Sequence, residues 1–345
     1  MQTQIIEAQN WAQQGRYHPA GIALAGDTLR AGGLVIFPTE TVYGLGANAL
    51  NPEAVSGIFR AKGRPADNPL IVHITAWEDM IPLVADLPDS AGRLAERFWP
   101  GPLTMILPKS ERVPAIVSGG LDTVAVRMPS HPIARAIISR AGVPVAAPSA
   151  NLSGTPSPTK GSHCRADMTG RVEVIVDGGD CPLGVESTVI SLVGERPRLL
   201  RPGAVTAAQL EEVLGPIDID PAVTAPLTEG TAAASPGMKY RHYAPQGELT
   251  IVHGDEAAFA KWAADNPGAG LLVFEEEAEV FGGRAIVYGR AGNADSQARG
   301  LFDALRQLDE RQVAVAYARA PAMDGVGLAV YNRLLRAASF REKYL

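Results

Sequence analysis

Lys62 and Arg64 flank Gly63, and the run continues through Pro65 and Asn68-Pro69 to His73. Thr123 and Arg127 come next, then Pro148-Ser149-Ala150-Asn151, Glu186-Ser187 and Arg201-Pro202-Gly203. Most of these groups border short apolar runs, so cations and small hydroxyl residues fall at the ends of buried strands, beside glycine and proline turns. Cations stiffened in this way suit a polyanion such as a nucleoside triphosphate, because little side-chain entropy is lost on binding. The loop at 38–46 adds the hydroxyls of Thr39 and Thr41 and glycines that admit a ligand close to the backbone.

Each group also has a plainer reading. Lys62 and Arg64 can answer the dipole at the end of the helix before them. His73, on a strand otherwise made of Leu, Ile and Val, can be a hydrogen-bonded structural residue. Arg127 can take a carboxylate in its fork or sit in a surface salt bridge. The loop at 38–46 can be an ordinary strand-to-turn junction. No GxxxxGK[ST] occurs, so a triphosphate would be held by side chains from several loops. There is no GxSxG, and no His–Asp pair is evident for a serine nucleophile. Nothing at metal-ligand spacing accompanies His73, so no zinc is expected.

The elements that must position these residues can be read from periodicity. Helices are expected at 19–31, 51–62, 90–98, 131–140 and 206–214, the second opened by the cap pair Asn51-Pro52. Buried strands are expected at 34–37, 70–74, 103–107, 124–128, 143–147, 172–176, 188–192 and 198–200. The mixture predicts one α/β domain with a mixed, twisted sheet over 1–215. Five prolines fall in 216–247, which reads as a linker. Its segment SPGMKYRHYAP, 235–245, is too aromatic and cationic for a plain spacer, and is either packed on the surface or a flap over a ligand. Residues 248–345 read as a smaller α/β unit, with strands at 249–252, 270–274, 284–287 and 313–316 and helices at 256–264, 294–309 and 327–338. Their alternation predicts a small parallel sheet of doubly wound, Rossmann-like type.

Bulk properties bound the function. The chain has 345 residues, 46% of them hydrophobic, enough for two cores. Net charge is −6 and neither half is basic, which argues against a dedicated nucleic-acid binder. Two cysteines without CxxC spacing fit a reducing, cytoplasmic location. The N-terminal segment has no signal-peptide pattern, and no apolar stretch is long enough to span a membrane.

The segments FPTETVYGLG (37–46), KGRPADNPLIVHI (62–74), FWPGPLT (98–104), VAVRMPSHP (124–132), APSANLSG (147–154), VESTVISL (185–192) and LLRPGA (199–204) together resemble the YrdC-type threonylcarbamoyl-AMP synthase family. The tail resembles the long form of that family, which adds SPGMKYRHYAP and a C-terminal accessory domain. The resemblance implies a YrdC-like twisted sheet around a large cationic groove. It implies formation of threonylcarbamoyl-AMP and pyrophosphate from L-threonine, bicarbonate or CO2, and ATP with Mg2+. That is the first step of threonylcarbamoyladenosine modification of tRNA. By the same resemblance Thr41, His73, Arg127, Ala147 and Ser187 contact threonine. Arg64, Asn68, Thr123, Ser149, Ser157 and Arg201 contact ATP, Asn151 supports the loop of Ser149, and Tyr240 or His242 covers the nucleotide. Lys62 and Arg64 carry catalysis by neutralising phosphate charge. The product would pass to a downstream tRNA-modifying transferase complex, with little direct tRNA binding and no membrane. Two alternatives stay open: an RNA-binding protein using the groove directly, and a carbamoyl-transfer module acting on another amine.

Overall fold

Short β-branched and leucine runs make the strands of a large first sheet, in a computed structural model that describes residues 1–9, 18–226 and 243–345. The strands are β1 (Gln4–Glu7), β2 (Val35–Phe37), β3 (Gly44–Asn48), β4 (Ile71–His73), β5 (Leu103–Pro108), β6 (Thr123–Arg127), β7 (Val145–Ala146), β8 (Val174–Asp177), β9 (Thr188–Ser191), β10 (Arg198–Arg201) and β11 (Asp218–Ile219). Among the described residues they pair in the order β1-β8-β2-β3-β7-β4-β6-β5-β9-β10-β11. Parallel and antiparallel ladders mix, as expected from the sequence. Apolar helix stripes cover it. The helix Pro52–Lys62 buries Val55, Ile58 and Phe59, and Pro132–Ala141 buries Ile133, Ile137 and Ile138.

The helix Pro52–Lys62 shows why some boundaries are legible locally. The Asn51 side chain accepts from the backbone N–H groups of Glu53 and Ala54, Pro52 occupies the first turn, and Gly63 closes the helix at φ 64°. That left-handed turn, open to glycine at no steric cost, swings the chain from Lys62 to Arg64.

Register then places chemistry. In the parallel pair β4–β6, His73 lies opposite Arg127, and both are the last residues of their strands. The start of β9, just after Ser187, and the end of β10, at Arg201, meet on an antiparallel ladder. Crevices beyond strand ends are where α/β sheets hold ligands.

The second unit carries β12 (Glu248–His253), β13 (Gly270–Val273), β14 (Ala285–Val287), β15 (Val315–Arg319) and β16 (Glu342–Tyr344). They pair in parallel in the order β14-β13-β15-β12-β16. The stretch read as a linker begins with structure: β11 pairs with β10, and a 3-10 turn, Pro221–Val223, buries Ala222 and Val223. Among the described residues no helix is long and apolar enough to cross a membrane.

β3 departs from the sequence reading, which ran a loop through 38–46 and expected no strand there. A Cβ on Gly46 would stand 2.6 Å from the Phe37 ring and 2.9 Å from a Val145 methyl. The glycine is there for interlocking between strands, and its low strand propensity is overridden. Gly46→Val should overpack this seam and lower unfolding free energy by about 1–3 kcal/mol, read from the urea midpoint. An unchanged midpoint would show the seam to be loose.

Candidate active site

Lys62, Arg64, Arg127 and Arg201 converge on one cleft of about 740 Å³, measured out to its open mouth. Thr41, His73, Ala147, Ser149, Asn151 and Ser187 line it with them. These ten come from strand ends, a helix end and loops spread over some 160 positions. Glu186 is the one carboxylate of the lining, so the described walls are cationic.

At one end Arg127 is buried and held on three sides. Its Nε donates to Gly101 O at 3.3 Å and one terminal nitrogen donates to Thr41 Oγ1 at 2.9 Å. The other lies 2.6 Å from Glu40 Oε1. This is a buried ion pair, where the sequence suggested either a surface salt bridge or an open fork. Burial opposes ionisation of Glu40, but Arg127 overrides it and keeps the carboxyl below its usual range. N–H groups remain on both terminal nitrogens for a ligand carboxylate. Thr41 is oriented from behind by the Thr39 hydroxyl at 2.9 Å. His73 lies beside Arg127, its Nδ1 3.2 Å from Ile71 O, which requires the proton on that nitrogen. Burial and then Arg127 push His73 down to about 3, so it is neutral at physiological pH.

At the middle, the Lys62 ammonium reaches Ser149 O and Asn151 O, both at 2.6 Å, and Asn151 Oδ1 at 3.3 Å. It ties the helix end to the loop 149–151, whose Ser149 Oγ donates to Asn151 Oδ1 at 2.6 Å. Burial, and then Arg64, pull Lys62 well below the usual lysine range. An arriving anion restores the preference for the charged form. Arg64 is half-buried, donates to Asn68 O at 3.1 Å and lies over the Phe59 ring.

At the far end Arg201 Nε donates to Ser187 O at 3.0 Å, and a terminal nitrogen donates to Ser187 Oγ at 3.1 Å. Burial and Arg333 draw Arg201 down to about 10, which leaves it charged at neutral pH. Glu186 pairs with Arg333 at 2.8 Å and accepts from Ser157 Oγ at 2.6 Å. Tyr243 closes this wall and packs on Phe302 with 5.1 Å between ring centroids.

Three expected residues do not line the cleft. Asn68 is fully buried beneath Arg64, with its backbone carbonyl toward that side chain. Thr123 stands at the start of β6, opposite Pro108. Ser157 is buried and turned to Glu186. Tyr240 and His242 lie outside the described residues. Sequence reading assigned no role of their own to Glu186, Tyr43 and Tyr243, which line the cleft. Glu186 was visible beside Ser187, but a carboxylate within a cationic site had no local signal of its partner 147 residues on.

Residues 27–203 match the family model described as Telomere recombination, and residues 205–339 match Threonylcarbamoyl-AMP synthase, C-terminal domain. A threonylcarbamoyl-AMP synthase of Pyrococcus abyssi is 47% identical over 331 residues, covering 93% of this chain and 94% of the relative. One of Bacillus subtilis is 47% identical over 326 residues, covering 93% of each. The crystal structure of P. abyssi Sua5 complexed with L-threonine aligns with TM-score 0.92 and 46% identity, over 99% of this chain and all of that one.

His73 yields a pH prediction. Below about pH 6.5 the unfolded chain binds a proton there that the folded protein refuses down to about 3. The stability is therefore complete above 6.5 and lost on acidification, by up to about 1.4 kcal/mol per pH unit. Urea unfolding between pH 7 and 4 should show His73→Gln with a shallower acid slope than the parent; equal slopes would mean His73 titrates normally.

Proposed function

This chain belongs to the threonylcarbamoyl-AMP synthase family, in the form with a C-terminal domain, and from that premise we infer that it is an L-threonylcarbamoyladenylate synthase, a transferase that uses ATP and L-threonine. The observation that carries the reading is the gathering of Lys62, Arg64, Arg201 and Arg127 on one cleft, with neutral His73 beside Arg127.

The residues divide by chemistry. Arg127 and the Thr41 hydroxyl take the threonine carboxylate, with His73, Ala147 and Ser187 around the rest of the amino acid. Arg64, Lys62, Ser149 and Arg201 face the nucleotide and its phosphates. Asn68 and Ser157 act from behind that wall, and Asn151 shapes the loop of Ser149.

In the reaction the threonine amine, as free base, adds to CO2 derived from bicarbonate. An N–C bond forms, a proton leaves, and the carbamate results. A carbamate oxygen then attacks the α-phosphorus of ATP. The new O–P bond forms as the bond to the bridging oxygen breaks, and pyrophosphate leaves with that electron pair. No side chain need become covalently attached. The protein's part is to align the two substrates and neutralise phosphate charge, where orientation alone supplies about 7–11 kcal/mol in favourable cases. Magnesium fits as part of the substrate, MgATP. The described residues hold no cluster of three His, Cys, Asp or Glu suited to a metal, and Glu186, the cleft's carboxylate, is engaged by Arg333 and Ser157. Mg2+ commonly takes its ligands from phosphates and water. The product is a mixed anhydride, which a cytoplasmic tRNA-modifying transferase complex would consume.

Pyrophosphate release from ATP should require both threonine and bicarbonate, and a threonylcarbamoyl adenylate should be visible by mass spectrometry. Release that ignores threonine would overturn the reading. Arg64→Ala should weaken ATP binding roughly ten- to a hundredfold, as loss of a charged hydrogen-bond donor does. Half-exposed Arg64 should leave thermal stability nearly unchanged, checked by calorimetry on the same sample.

A further inference from the structure

The helix Gly327–Ala337 of the second unit sends three polar side chains, Asn332, Arg333 and Arg336, into the first. Asn332 Nδ2 donates to Val223 O at 2.7 Å, and an Arg336 terminal nitrogen donates to Ala222 O at 2.7 Å. Between them Arg333 has no exposed surface at all, the largest side chain so placed among the described residues. Its Nε donates to Glu186 Oε2 at 2.8 Å, one terminal nitrogen donates to Pro202 O at 2.9 Å and Asn332 Oδ1 at 2.8 Å, and the other reaches Glu186 O at 3.3 Å.

Those partners are next to cleft residues. Glu186 precedes Ser187, and Pro202 follows Arg201. Arg201 in turn grips Ser187 through its carbonyl and hydroxyl, and Ser187 Oγ lies 2.8 Å from Thr104 Oγ1. The second oxygen of Glu186 takes the Ser157 hydroxyl. One guanidinium from the second unit thus joins the two strand-end loops that carry Arg201 and Ser187, and through Glu186 sets Ser157.

We propose that Arg333 is a positioning residue for the nucleotide half of the cleft, and that this is a task of the C-terminal unit in the reaction. The inference rests on the reading that Arg201 and its neighbours face ATP. Docking two units does not call for such an arrangement. A buried ion pair holds surfaces together no better than apolar side chains of the same shape, because both charges lose their water. What it supplies here is direction: the planar fork reaches the Glu186 carboxylate, the Glu186 carbonyl and the Pro202 carbonyl, which fixes the spacing of the two loops. The threonine end is built otherwise. Arg127, Thr41 and His73 are braced by Gly101, Glu40, Thr39 and Ile71, all from the first unit.

The test uses the full-length protein with Arg333→Met, Arg333→Lys and Asp303→Asn. Asp303 joins the two units elsewhere, through Lys160 at 2.8 Å and His163 at 3.1 Å, and does not line the cleft. For each variant, ATP affinity is measured by calorimetry, and KM for ATP, KM for threonine and kcat by pyrophosphate release. Arg333→Met should weaken ATP affinity or lower kcat roughly ten- to a hundredfold, the scale of a displaced binding group, and shift KM for threonine far less. Arg333→Lys keeps the charge but not the fork and should recover only part of the loss. Asp303→Asn should lower Tm with ATP affinity within about twofold of the parent, a difference too small to signal a displaced group. Parent-like ATP affinity and turnover in folded Arg333→Met, or an equal effect from Asp303→Asn, would overturn the role of Arg333. Should Arg333→Met not fold, parent-like kinetics in Arg333→Lys would do the same. A parent protein that binds no ATP would count against the reading of the cleft itself.

Discussion

A guanidinium or ammonium taken out of water loses its hydration shell, and the loss amounts to several kcal/mol unless protein oxygens take the place of water. The cleft is organised by that requirement. Lys62 finds carbonyl oxygens on the 149–151 loop, Arg127 finds Gly101 O, Thr41 Oγ1 and Glu40, and Arg201 finds Ser187. Each buried cation therefore ties its own helix or strand end to another loop of the chain. The contacts that make the charges tolerable also hold the cavity walls in place, so stability and binding geometry share the same bonds.

The sheet supplies the common edge from which these charges project. Parallel pairing of β4 and β6 brings His73 and Arg127 level, and the antiparallel pair β9–β10 turns Ser187 and Arg201 toward each other. The environments then separate the roles of similar side chains. Burial beside Arg127 keeps His73 neutral, able to hydrogen-bond without adding charge. Burial beside Arg201 and Arg333 would protonate an isolated carboxyl, yet those same cations keep Glu186 ionised. A neutral imidazole at one end and clustered guanidinium groups at the other suit an amino acid beside a triphosphate.

Much of this was legible in the residues. The helix Pro52–Lys62 was marked by an asparagine cap, a first-turn proline and a closing glycine, all signals within a few positions. The buried strands showed as apolar runs, and eight cleft residues stood out near their ends as cations, hydroxyls and an amide, while Ala147 came only from the family resemblance. β3 escaped because Gly46 is explained by the Phe37 ring and Val145, neighbours in space. Asn68 and Ser157 fall behind the wall because a polar side chain in a motif can serve the ligand or the residue that touches it, and spacing does not distinguish the two. Glu186 was passed over because its partner Arg333 comes from another unit.

The order of apolar runs, caps and turn residues along the chain was enough to specify the α/β class, two units and the inventory of cations available to a polyanion, because those signals act over a few residues. Only the folded protein decided which cations share a wall, which are already paired, and that a second-unit arginine reaches the loops that line the cleft. Those outcomes depend on strand register and on desolvation, which are set by atoms distant in sequence and have no local imprint.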